Sequence, residues 1–193
     1  ALLASACGSR LSDDELATGG GSGAGAPAAP SDGANGAGIA EGEGGPMIGT
    51  LAVPCGEGEA PPQAPPEGTE GVTADTIKIA VISDKAGQVK VPTASIEESM
   101  QAYVDWCNGF GGINGRQLEL TKIDSKLFSH LEATREACNA GVFAIVGSGS
   151  VTDNQGAQAM VDCGLVEVPA YTATAAKGLS DNVVAPLPNP ANY

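Results

Sequence analysis

Cations are scarce in this chain, and so are aromatic residues, histidine and long apolar runs. Nine Lys and Arg stand against 23 Asp and Glu, giving a formal charge of −14 and a pI near 4.2. With no basic stripe to meet phosphates, nucleic acid is excluded as a partner, and the acidic surface reads as a solubility feature. His130 is the single histidine, and no CxxC pair accompanies it. A serine triad and a metal centre therefore both lack their parts, and a histidine beside an expected helix start fits a surface or capping role. No run beyond the first residues is long and apolar enough to span a bilayer.

What the chain does hold divides it in two. From about Ala17 to Gly71 it is dominated by Gly, Ala, Pro, Ser and Glu, with almost no aromatic or β-branched residues. Such a stretch cannot bury enough surface to offset its chain entropy, so residues 7–71 are expected to be a disordered tether. Thr50–Pro54, with Leu51 and Val53, offers at most a brief local contact. Ahead of the tether, LLASACGSR places Cys7 behind Ser5 and Ala6, the pattern of a bacterial lipobox. Residues 1–6 then read as the remnant of a lipoprotein signal peptide, and an acylated Cys7 would anchor the chain to a membrane on the extracytoplasmic side. An incidental Cys7 is the alternative.

Residues 72–193 have a different grammar, and roughly 120 residues are enough for one core. DTIKIAVIS (Asp75–Ser83) is too continuously apolar for a strand with one wet face and predicts a buried parallel strand. Ile96, Met100, Tyr103, Val104, Cys107 and Phe110 recur at spacings of three and four, predicting a helix from about Thr93 to Asn108. Gly109, Gly111 and Gly112 end it, and Asn114-Gly115 turns the chain into a second strand, Gln117–Ile123. Further elements follow in alternation: a helix at Leu131–Ala140, a strand at Phe143–Gly147, a loop at Ser148–Asp153 followed by a helix to about Cys163, and a short strand at Leu165–Val168. Strands alternating with helices, without hairpin signals, predict an α/β fold with a doubly wound parallel sheet.

In such sheets ligands bind beyond the carboxyl ends of the strands. That rule selects Asp84–Pro92, Gly147–Asn154 and Ala170–Thr174. The last two are rich in hydroxyls (Ser148, Ser150, Thr152, Thr172, Thr174), and the helix after Ser150 would aim free N–H groups into the crevice, favouring an anionic group. The competing reading is that these hydroxyls only cap the helix and tighten turns. GSGSVT (Gly147–Thr152) partly mimics a dinucleotide fingerprint, but it lacks the third Gly and follows the third strand, so no cofactor is expected.

VTADTIKIAVISD (Val72–Asp84), GGINGRQLEL (Gly111–Leu120), GVFAIVGSGSVTDNQ (Gly141–Gln155) and VEVPAYTAT (Val166–Thr174) resemble the first lobe of the type I periplasmic solute-binding proteins. The most similar group is the branched-chain (Leu/Ile/Val) amino-acid-binding proteins of ABC importers, and the resemblance runs over roughly residues 71 to 190. It implies a non-enzymatic, extracytoplasmic receptor that captures a small polar solute, an amino acid or a relative, between two lobes and delivers it to ABC permease subunits. The second lobe would lie beyond Tyr193. It further implies that Ser150 and Thr152 face a ligand carboxylate, that the Ala170 carbonyl accepts from an ammonium, and that Tyr171 and Thr172 line the site. Tyr171 stands where a small residue is common in that family. A ligand-sensing receptor of the same fold and a purely structural surface lipoprotein are the alternatives.

With Cys7 acylated, Cys55, Cys107, Cys138 and Cys163 remain, an even number that suits an oxidising compartment and allows three connectivities. The expected topology puts the second and third helices on one face of the sheet and the first on the other. That favours Cys138 with Cys163 and leaves Cys55 to reach Cys107; buried free thiols are the alternative.

Overall fold

A computed structural model describes residues 39–42, 45–48, 51–56, 58, 65–66, 69–87, 89 and 91–188. Cys7, the signal-peptide remnant and much of the expected tether lie outside these residues. Within the tether stretch three short strands, β1 (Ile39–Gly42), β2 (Gly45–Ile48) and β3 (Leu51–Ala52), pair antiparallel in that order. This departs from the expectation of a disordered segment with at most a brief local contact at Thr50–Pro54. Directly after them, Cys55 is buried and bonded to Cys107. Gly56 donates its N–H to the Gly112 carbonyl and accepts from Gly115 N, at 2.6 and 3.0 Å. A cross-link 52 residues apart in sequence lowers the entropy that composition alone says this stretch cannot offset.

The main sheet is parallel throughout, with β4 (Thr76–Ser83) and β6 (Ala144–Val146) at its centre, β5 (Gln117–Asp124) on one side and β7 (Val166–Val168) on the other, in the order β5-β4-β6-β7. Cover on both faces of the sheet explains the apolar run in β4: Ile79, Ala80, Val81 and Ile82 are all buried, with Ile79 in one core and Ala80 and Ile82 in the other. Val183 makes a further parallel bridge to Glu167.

Two cores result. On one face α1 (Ala94–Gly109) sets Val104 and Cys107 against Ile79 and Leu118, with Cys55 completing the cluster. On the other, α2 (His130–Asn139) and α3 (Asn154–Asp162) bring Ala133, Ala137 and Met160 onto Ala80, Ile82, Ile123 and Ile145. The two helices approach closely at Gly156, where a Cβ would stand 2.1 Å from Thr134 Oγ1. They are also bonded through Cys138 and Cys163. A final short helix, α4 (Ala175–Gly178), follows β7. Asn114 and Gly115 both have positive φ, 49° and 76°, forming the tight turn that starts β5.

Candidate ligand-binding crevice

Because α1 covers one face and α2 and α3 the other, the chain leaves β4 and β6 toward opposite sides, opening a crevice at their carboxyl ends. Gly149 extends the β4·β6 pairing into this crevice, bridging Ser83 and donating to the Ile82 carbonyl at 3.0 Å. Three loops converge here as expected from the sequence, after β4, β6 and β7. A fourth, Ser125–Ser129 after β5, joins them and was not expected.

The centre of this arrangement is Asp84, fully buried. Its Oδ1 accepts from Ser125 Oγ, from Ser150 Oγ at 3.0 Å and from Leu127 N at 3.1 Å, while Oδ2 accepts from Val151 N at 2.7 Å. Ser150 is thus turned inward, and Thr152 donates its hydroxyl to the Leu127 carbonyl. The first bond ties the loop after β6 to the loop after β4, and the second ties it to the loop after β5. That second loop holds Lys126 and Leu127 at φ of 49° and 70°, a backbone state that non-glycine residues adopt only when surroundings enforce it. The N–H groups expected to greet an anion are therefore partly taken by an internal carboxylate.

A second carboxylate, Asp153, joins the loops after β6 and β7. It is buried and accepts from Ala173 N at 2.7 Å and Thr174 Oγ1 at 2.6 Å. Ala170 N donates to the Ser148 carbonyl at 2.8 Å, strengthening the same junction. Between these fixings lie Tyr171 and Thr172. Thr172 is 8% exposed and its Oγ1 has no hydrogen-bond partner. Tyr171 is half-buried with its ring across Gly149: a Cβ on that glycine would sit 2.3 Å from Tyr171 Cε1 and 3.0 Å from Ile96 Cδ1. Burial first, then the charges of Asp84 and Asp153, push the Tyr171 phenol above its usual pKa.

Beneath the loops are charges that sequence reasoning missed. Glu167 in β7 accepts from Ser148 Oγ and pairs with the Lys177 ammonium of α4, all three side chains being buried. A Glu in the middle of a short apolar strand was the available signal. His130 is buried rather than on the surface, wedged against Gly156, and neither ring nitrogen has a partner. Burial, and then the Lys177 ammonium, lower its pKa to about 4 from 6.5, with Asp84 opposing. The expectation of a capping role failed because the start of α2 packs on α3 and not on solvent.

No group of His, Cys, Asp and Glu among the described residues is arranged to hold a metal ion, and no described helix is long and apolar enough to cross a membrane. In the loops after β6 and β7 the Thr172 hydroxyl is left without a partner, beside the half-buried ring of Tyr171.

The periplasmic binding protein family profile matches residues 76–192. No curated protein is matched. Among solved structures, the chain is similar to a fatty acid ABC transporter substrate-binding protein from Thermomonospora curvata, at 25% identity and a TM-score of 0.51, covering 64% of this chain and 33% of that one. It is also similar to the branched-chain amino acid transporter substrate binding protein LivJ from Streptococcus pneumoniae in complex with isoleucine (22% identity, TM-score 0.49, 56% and 33% covered). An ABC transporter substrate-binding protein from Desulfitobacterium hafniense in complex with Leu gives 26%, 0.40, 49% and 28%. The chain thus spans about a third of the length of these structures. With its family profile matched over more than half its length and its single parallel α/β lobe, the chain belongs to the periplasmic binding protein family, whose members bind solutes and are not enzymes.

Proposed function

We propose that this chain forms one lobe of the substrate-binding component of an ABC importer, which captures a small polar solute, an amino acid or a close relative, and passes it to a membrane permease. The observation that carries the reading is the orphaned hydroxyl of Thr172 beside the strand ends. A buried hydroxyl without a partner costs about 1–3 kcal/mol, and at the crevice of a doubly wound sheet a ligand atom is the natural partner. Thr172, Tyr171 and the Ala170 carbonyl meet the solute in this reading, while Ser150 and Thr152 act from behind, holding the loop. An acylated Cys7 keeps the protein at the extracytoplasmic membrane surface. Family membership and the sequence resemblance to branched-chain amino-acid-binding proteins support the solute class.

The test is a thermal-shift screen of the whole protein against amino acids, amides, fatty acids and sugars. At 100-fold excess over Kd a specific ligand stabilises by about 2.7 kcal/mol. A shift with amino acids that is lost in Thr172→Val supports the reading. A shift only with fatty acids replaces the solute class, and no shift with any member removes the capture role.

A further inference from the structure

Tyr171 sits at the meeting point of three elements. Its ring covers the backbone of Gly149 in the loop after β6 and adjoins Ile96 of α1, at the point where the chain leaves for opposite faces of the sheet. Glycine is required beneath it, since a Cβ on Gly149 would collide with the ring. The ring is only half-buried and among the described residues no hydrogen bond engages its hydroxyl, which leaves an aromatic surface at the place where a doubly wound sheet takes its ligand.

The charges around this ring are of one sign. Asp84 and Asp153 are buried close by, and both act on the phenol. Two of the cations on the adjoining elements are committed elsewhere: Lys85 pairs with Glu97 at 3.0 Å, and Lys177 is buried against Glu167. His130 is held neutral by its burial. The N–H of Val151, which would otherwise greet an anion, is taken by Asp84, and that of Ala173 by Asp153. Thr172, next in sequence, adds a buried polar atom without a partner.

Resting on the solute-capture reading, we propose that Tyr171 is the specificity-determining residue for a positively charged group on the solute, an ammonium seated over its ring, and that the crevice selects against solutes carrying only negative charge. An ammonium over an aromatic face gains about 0.5–2 kcal/mol, more as water is excluded. A negative field from two buried carboxylates adds to that attraction and opposes a lone carboxylate.

The experiment is calorimetric titration of the whole protein, and of its Tyr171→Phe and Tyr171→Leu variants, with matched pairs that differ in the cationic group: leucine and isocaproate, phenylalanine and hydrocinnamate, choline and neohexyl alcohol. Phenylalanine at 171 keeps the ring and serves as the control for folding; leucine keeps bulk without the π face. The expected result is at least tenfold tighter binding of the cationic member of whichever pair binds. Tyr171→Phe should stay within about threefold of wild type, and Tyr171→Leu should lose about 5- to 30-fold on the cationic member only. Equal or tighter binding of the uncharged or anionic member, or indistinguishable Phe and Leu variants, overturns the assignment and leaves solute capture standing. Binding of no probe overturns the assignment together with the amino-acid form of the capture reading.

Discussion

In the loop after β6, Ser148, Ser150 and Thr152 all donate to acceptors on other elements, namely Glu167, Asp84 and the Leu127 carbonyl. In the loop after β7, Thr174 is likewise committed to Asp153, but Thr172 keeps a buried hydroxyl without a partner and Tyr171 lays a half-buried ring on Gly149. Two segments of similar composition thus do different work. The first is fastened to the scaffold, and the second keeps one buried hydroxyl, that of Thr172, without a partner. Hydroxyl-rich composition marks where the strands end; the acceptor already within reach decides whether a hydroxyl is structural or left for a ligand.

The largest test of this contrast is Asp84→Ala. It strips the acceptor from the Ser150 hydroxyl and two backbone N–H groups in a fully buried site, while Ser125 Oγ still reaches the Ser83 carbonyl at 3.1 Å, and urea denaturation should show a loss of about 4 kcal/mol, less than the upper sum for three orphaned groups because water can enter the space. A loss under about 1 kcal/mol would mean that the loop after β6 does not depend on this carboxylate.

The next largest effect involves His130, beneath the same loops. Its folded pKa of about 4 lies below 6.5, so the unfolded chain binds the proton first as pH falls. The contribution is fully present above pH 6.5 and is lost progressively toward pH 4, amounting to about 3 kcal/mol across that window. Because this is the only histidine, the difference in denaturation free energy between wild type and His130→Phe, followed against pH, reads it directly. A flat difference would show that the ring is solvated.

Two smaller changes sharpen the comparison from either side. Ser150→Ala should cost about 1.5 kcal/mol of stability, since it leaves part of Asp84 unsatisfied, and should change affinity for the solute by less than tenfold. Thr172→Val should do the reverse. Removing a hydroxyl that has no partner leaves stability unchanged or raises it by about 1 kcal/mol, while affinity falls at least tenfold in titration of the whole protein. Matching effects from the two substitutions would erase the distinction between the loops.

Much of the fold was legible in the sequence because period and composition report burial locally. The Ile79–Ile82 run marked the strand that is covered on both faces, and the three-and-four spacing of Ile96 to Phe110 marked α1, observed at Ala94–Gly109. The strands at residues 39–52 were not legible, since their Gly-rich composition carries no strand period, although the expected topology already left Cys55 to reach Cys107 of α1. The candidate site was half legible. The loops followed from the rule for doubly wound sheets, but the direction of Ser150 depended on Asp84, 66 residues earlier, and the burial of His130 on Gly156 across the helix pair.

The sequence by itself determined the alternation of strands and helices, the acidic charge and the loops at the strand ends, because each is a property of neighbouring residues. Only the tertiary structure decided which hydroxyls are spent and where Tyr171 lies. Those outcomes depend on partners brought together across the sheet, and a hydrogen bond or a ring contact exists only once both partners have arrived.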